Sequence, residues 1–212
     1  MVDVKPPRDR RARRAAETRL HIVEAAGRLF AERGYAGTTI DAVAAEADVA
    51  VETVYARFKN KRNLLAAYLD VAIVGDAEAI PLLARDAVEQ VRQTSDQHEQ
   101  LRLLAHLGRT ILERTATVHA VLHSAAAVDP EAAVLEAEDD RRRRTTIHAY
   151  AKIVADAGPL REGLSAEEAA DTFWVLASPE SYARLTTGSG WTPARYEEWL
   201  ATNLFLLLLP SR

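Results

Sequence analysis

Residues 38–61 read TTIDAVAAEADVAVETVYARFKNK, and their pattern decides the fold. Ile40, Val43, Ala44 and Ala47 recur at helical spacing, Ala47-Asp48-Val49 interrupts them, and Val54 and Phe58 then follow at i, i+4. The pattern predicts two short helices joined by a tight turn, the second running from about Val51 to Phe58. Thr38 with Asp41 three residues on has the form of a capping box that opens the first helix. A second helix with only two inward apolar residues cannot stand alone. With Val54 and Phe58 turned inward, Val51, Glu52, Thr53, Tyr55, Ala56, Arg57 and Lys59 lie on its outer side. Such a pair is expected to seat its second helix in the major groove of duplex DNA while the first crosses the backbone.

The flanks extend the same reading. Upstream, Leu20, Val23, Ala26, Leu29 and Phe30 form a helical stripe that stops at Arg33-Gly34-Tyr35, where glycine is expected to supply a left-handed cap. Downstream, Asn60 is a good N-cap for a fourth helix carrying Leu64, Leu65, Tyr68, Leu69 and Ala72. Thr53, Tyr55 and Lys59 offer the donors that phosphate oxygens accept, and Lys61 is placed to meet a phosphate at the start of that fourth helix. Arg57 suits either a phosphate or a guanine edge, and Glu52 suits a cytosine amino group. Thr38, Thr39 and Val51 border this surface and complete the candidate DNA-contacting set.

Charge is divided unevenly along the 212 residues. Residues 1–64 hold 13 Lys/Arg against 9 Asp/Glu, net +4, which leaves 14 against 22, net −8, in the remainder. A basic end on an acidic body is expected when only one end meets phosphate. Residues 1–14, with Pro6-Pro7 and five arginines between Arg8 and Arg14, read as a disordered basic arm, either touching DNA or simply solvated.

Beyond residue 65 the text stays helical, with no sustained strand alternation. Pro81, Ser95-Asp96, Asp129-Pro130, Gly158-Pro159, Gly163 and Gly188-Ser189-Gly190 punctuate it. They leave a connecting segment near 82–93 and helices near 97–114, 116–127, 131–157, 165–187 and 192–209. Ser165 with Glu168 is a capping box, and Thr192-Pro193 places a cap before a proline. Pro179, inside the helix near 165–187, is expected to kink it.

Several classes of chemistry are excluded. The run Leu204–Leu209 is far too short for a membrane span, no secretory signal is visible, and the absence of cysteine fits a reducing cytoplasm. Gly188-Ser189-Gly190 lacks the GxSxG register, and no phosphate-cradling glycine loop or HExxH occurs, so no enzyme and no cofactor are expected. His119 and His123 have zinc-ligand spacing at i, i+4, but no third ligand accompanies them and no metal site is assigned. Arg141 to Arg144 follow Glu138, Asp139 and Asp140 and read as a salt-bridged outer face.

Phe30, Gly34-Tyr35, Thr38-Thr39, Val43-Ala44, Thr53-Val54-Tyr55, Phe58 and Asn60-Lys61 together resemble the N-terminal signature of the TetR (tetracycline-repressor-like) family of bacterial regulators over about residues 15–65. The chain departs from it where Ala50 replaces a usual Ser or Thr cap and where Glu52 stands in place of a small residue. The resemblance implies an all-α protein: a three-helix, helix-turn-helix DNA-binding domain over 15–64, with the motif at about 38–59, and a helical ligand-binding and dimerisation bundle over 65–212. It implies a homodimeric repressor on a pseudo-palindromic operator, released by an unknown small-molecule effector. The alternative is a ligand-blind DNA-binding protein governed by a partner protein. Candidate effector-pocket residues are Leu104, His106, Gly108 and Ile111, then Leu122, Ile147, Tyr150 and Trp174, although the same side chains also suit surface or satisfied core positions. Tyr182, Trp199, Leu204, Phe205 and Leu208 are the candidate dimer contacts, on helices with more apolar surface than one narrow stripe requires.

Overall fold

The computed structural model describes residues 7–74, 83 and 86–211, and among these the chain is helical with no strand. Helix α1 spans Pro7–Gly37. Pro7 to Arg14, expected as part of a disordered arm, are instead its first turns; residues 1–6 lie outside the described residues. Proline suits the first helical position, alanine and arginine are strong helix formers, and Arg13 Nε pairs with Glu17 Oε1 at 2.9 Å. As expected, the regular helix is interrupted at Gly34. That residue takes φ 69°, ψ 176°, a conformation open to glycine, and helical pairing continues to Gly37 across the kink.

Two short helices, α2 (Ile40–Glu46) and α3 (Val51–Phe58), precede α4 (Lys61–Val74). The N-cap of α2 is Thr39, whose hydroxyl accepts from the Ala42 N–H at 3.1 Å, and not Thr38 as the capping-box pattern suggests. Thr38 is fully buried, its hydroxyl 2.8 Å from the Gly34 carbonyl and 3.1 Å from that of Leu29. The kink at Gly34 leaves carbonyls without helical partners, and the nearer threonine satisfies them.

Helix α5 (Asp86–Gln93) occupies most of the expected connecting segment, with Val88 and Val91 buried; Pro81 falls outside the described residues. Helix α6 (Gln97–Ala126) is continuous where a break near residue 115 was expected. Thr115 Oγ1 donates to Ile111 O at 3.0 Å, so a buried hydroxyl is satisfied inside the helix without interrupting it. Helix α7 spans Pro130–Ala157, α8 Ala166–Leu176, α9 Pro179–Ala183 and α10 Pro193–Leu208, with a π-helical turn at Arg184–Gly188 after α9.

Two expected caps form: Ser165 and Glu168 make a reciprocal capping box on α8, and Thr192 accepts from Arg195 N at the start of α10. Pro179 does not kink a helix from within. Helix α8 ends at Leu176, Ser178 caps a new helix by accepting from Ser181 N at 3.0 Å, and Pro179 takes the first position of α9.

The chain forms two compact units. The first comprises residues up to Val71 together with Thr117–Glu136, and the second comprises Ala72–Ala116 and Ala137 onward. The sequence suggests a single boundary after residue 64; the units instead place the end of α6 and the start of α7 with α1–α4. In the first unit Ile22, Phe30, Val43, Val54, Leu64 and Leu65 are buried, as are Val118, Leu122 and Leu135 from α6 and α7. The second unit has a continuous core built on Leu101, Leu104, Tyr150, Phe173, Tyr196 and Leu200.

Candidate nucleic-acid interface

The turn between α2 and α3 is a Schellman motif. Val49 N–H reaches Ala44 O at 3.0 Å and Asp48 N–H reaches Ala45 O at 3.2 Å, with Asp48 in the left-handed region at φ 49°. Aspartate tolerates this conformation better than most residues. Helix α3 begins at Val51, and Ala50 before it supplies no side-chain cap, in line with the missing hydroxyl noted in the sequence. Val54 and Phe58 face inward and are buried, so the opposite side is set by the helical period.

That outer side carries the expected residues. Glu52, Ala56, Arg57 and Lys59 are exposed, Tyr55 is 49% exposed, and Val51 and Thr53 are half-buried at the edges. Thr39 is exposed at the start of α2, whereas Thr38 is buried and cannot reach a nucleic acid. Arg57 leans back: its Nη1 donates to Ala15 O at 3.0 Å, while the Arg19 guanidinium lies 5.7 Å from the Phe58 ring centre. Arg19, Arg57 and Lys59 share a shallow groove with Asn63 and Asp70, which concentrates cations beside α3.

Lys59 ends α3 with φ 67°, ψ −44°, and Asn60 N–H bonds Phe58 O across it at 2.8 Å. This is a strained γ-type turn for a residue with a side chain. Asn60 Oδ1 then accepts from Asn63 N at 2.8 Å, the expected cap of α4.

Lys61 does not project toward solvent for a phosphate. Its Nζ donates to Tyr35 O at 2.8 Å and to Thr38 O at 3.0 Å, and it sits 4.2 Å from the Tyr35 ring centre. Burial lowers its pKa, opposed by the nearby Asp129 charge. The carbonyls orphaned at the end of α1 have claimed the lysine, which corrects its assignment as a phosphate contact. Two residues absent from the sequence-derived set complete this cluster. Tyr35, 6% exposed, stacks on Phe30 at 5.9 Å and donates through its hydroxyl to Asp129 Oδ2 at 3.1 Å. The Gly34-Tyr35 pair was a visible signal for the first, but Asp129-Pro130 read only as punctuation.

The candidate pocket residues do not all belong together. Leu122 is buried in the first unit, whereas Leu104 belongs to the core of the second. The His106 side chain is 60% exposed, with Nδ1 3.0 Å from Glu197 Oε1, and is a surface residue. At Gly108 a Cβ would meet Leu200 Cδ2 at 3.8 Å, so this position packs on α10. Leu104 and Tyr150 are in the core of the second unit with Ile147 against it, while Ile111 and Trp174 are half-buried. Tyr150 Oη and Trp174 Nε1 are buried atoms without a hydrogen-bond partner. His123 Nδ1 lies 2.9 Å from Glu136 Oε1, and among the described residues no group of three potential metal ligands occurs.

Three of the candidate dimer contacts also turn inward. Leu204 and Leu208 are fully buried with Tyr196 and Leu200 on the i, i+4 row of α10, and Tyr182 packs edge-on against Tyr196 at 4.9 Å. Trp199 and Phe205 are partly buried against the same core. The apolar residues that do face outward are Leu206, 66% exposed, Leu207 and, on α8, Val175. The sequence could not rank them, because 204–209 is apolar at every position.

A kinked first helix, a short pair joined by a Schellman turn and an exposed outer face on the second helix of that pair define a helix-turn-helix protein. Residues 22–68 match the profile described as bacterial regulatory proteins, tetR family. The chain is 36% identical over 97 residues to the HTH-type transcriptional repressor SCO4008 of Streptomyces coelicolor, covering 44% of this chain and 50% of that protein. The match therefore spans half the length of that relative. Across nearly the whole chain the fold is similar to that of SmeT in its triclosan complex, with TM-score 0.69, 20% identity and coverage of 91% and 92% of the two chains. It is also similar to NalD, the secondary repressor of the MexAB-OprM multidrug efflux pump in Pseudomonas aeruginosa, with TM-score 0.67, 20% identity and coverage of 91% and 97%. The similarity to the tetR family is carried by this N-terminal segment, residues 22–68. Among the described residues no helix is long and apolar enough to cross a membrane.

Proposed function

We propose that the protein is a cytoplasmic transcriptional repressor that binds a pseudo-palindromic operator as a homodimer through α3 of each protomer. The observation that carries this reading is the outer face of α3, where Glu52, Tyr55, Arg57 and Lys59 are exposed because Val54 and Phe58 are locked inward. Thr39, Thr53, Tyr55 and Lys59 position the head on phosphate, and Glu52 with Arg57 discriminates sequence. Arg57 reaches a base only by leaving Ala15 O, an exposed bond of modest net value. Val51 adds apolar contact at the edge.

The homodimer rests on the outward Leu206 and Leu207 at the end of α10 and Val175 on α8, exposed apolar side chains that a second copy covers. A small-molecule effector rests on Tyr150 and Trp174, whose buried, unpartnered polar atoms are costly unless something pairs with them. The triclosan complex of SmeT, a protein of similar fold, supports an effector of small-molecule size.

Titrating the purified protein against its own upstream intergenic DNA tests the reading. Specific, salt-sensitive binding is expected, with Lys59→Ala weakening all sequences alike and Glu52→Ala or Arg57→Ala changing which is preferred. No specific binding there and none across a random-sequence pool would sink it. An effector must bind more weakly to the operator complex than to free protein, and equal affinity for the two would exclude effector release.

A further inference from the structure

The connection between α6 and α7 ends at Asp129, whose carboxylate does two things with separate oxygens. Oδ1 accepts from Glu131 N at 2.9 Å and lies 3.4 Å from Ala132 N, which caps α7. Oδ2 accepts the hydroxyl of Tyr35 at 3.1 Å. Capping explains the first oxygen and leaves the second to another purpose.

Tyr35 is held on every side that matters. Its ring lies between Phe30 at 5.9 Å and the Lys61 ammonium at 4.2 Å, and its own carbonyl accepts from that ammonium, which also bonds Thr38 O. Lys61 opens α4, and Thr38 immediately precedes the N-cap of α2. The two joints that aim the α2–α3 pair therefore meet at one tyrosine, and the acceptor for its part-buried hydroxyl comes from a turn roughly 70 residues after α3. Loss of the carboxylate removes a charge-assisted hydrogen bond that fixes the phenol, so the ring and the joints shift when that acceptor leaves.

We infer that Asp129 is a positioning residue of the DNA-reading head, and that the head is a discontinuous unit of α1–α4 plus the α6–α7 turn. The grouping of Thr117–Glu136 with the first 71 residues fits this assignment. Its consequence for affinity rests on the function proposed above; its consequence for the order of the head does not.

The test compares the full-length protein with Asp129→Ser, Tyr35→Phe and the double variant. Serine keeps the cap of α7 but is too short to hold Tyr35 as well, and Phe removes only the hydroxyl. In hydrogen exchange on the free protein, both single variants are expected to accelerate residues 35–43 and 60–66 while 130–136 stay at the wild-type rate. The double variant is expected to go no further than either single one. Acceleration confined to 130–136, no change anywhere, or additive effects would overturn the inference.

For the second arm, a duplex is selected from random DNA by the wild-type protein. Each single variant should bind it on the order of tenfold more weakly, with no further loss in the double variant and unchanged binding to scrambled DNA. Altered exchange with unaltered affinity would reduce Asp129 to a structural residue and overturn the positioning role. If the wild-type protein selects no duplex, the proposed function fails while the exchange data still decide whether Asp129 orders the head. Should Asp129→Ser not fold, Tyr35→Phe alone carries both readouts.

Discussion

Lys59 and Lys61 stand two residues apart in a basic run, and their surroundings give them different roles. Lys61 is spent on the carbonyls of Tyr35 and Thr38, so Lys61→Ala should cost about 1–3 kcal/mol of stability in denaturant unfolding, because two acceptors lose a charged donor. Unchanged stability would return it to the phosphate role. Lys59 is exposed, so Lys59→Ala should leave stability alone and flatten the salt dependence of DNA binding by about one unit. Lys59→Gly should lose the same DNA contact yet gain about 0.5–1 kcal/mol, since glycine accepts φ 67° without strain. The residue types were legible in the sequence and their partners were not. A lysine at a helix start suits a phosphate or an orphaned carbonyl equally well, and the kink at Gly34 that creates those carbonyls is a backbone event.

At the level of elements, what was legible is what local chemistry determines. The bounds of α3, the Asn60 cap, the Ser165–Glu168 box and the Thr192 cap all follow from apolar spacing and short-range hydrogen bonding. Helix continuity was harder. Thr115 reads as a break but bonds back to Ile111 O, and Pro179 reads as a kink but starts α9, because Ser178 offers a cap and Ser181 Oγ donates to Val175 O at 3.0 Å. A proline inside a helix and a proline opening one differ only in where the preceding helix stops, and here packing decides that. The kink in α1 gives a sharp prediction. Gly34→Ala should destabilise the protein by about 1–3 kcal/mol although no atom lies within 4 Å of the added methyl, because φ 69°, ψ 176° is strained for alanine. A neutral result in thermal unfolding would mean that the kink relaxes readily.

For the whole molecule, the general architecture was readable from the 38–61 signature, while the interface was not. Leu204 and Leu208, expected at the dimer surface, are in the core, while Leu206 and Leu207 are exposed. Leu204→Ala should therefore cost about 2–5 kcal/mol as a core truncation. Leu206→Asp should leave the protomer folded and shift it from dimer to monomer in sedimentation; a dimer that persists would place the interface elsewhere. Alkali should also unfold the protein. Burial raises the pKa of Tyr35, Tyr150 and Tyr196, so above an ordinary phenol value of about 10 the unfolded chain loses protons that the folded one keeps, and stability falls as pH rises. Denaturant midpoints from pH 9 to 11 report this directly. The central claim, a dimeric head that reads DNA through the outer face of α3, is tested most directly by selecting binding sites from random duplexes with the full chain and with Tyr55→Ala. The account predicts two inverted half-sites spaced by about 34 Å or a multiple of it for the wild-type protein, and loss of that enrichment in the variant. Enrichment of no sequence, or of the same sequence with equal strength by the variant, would contradict it.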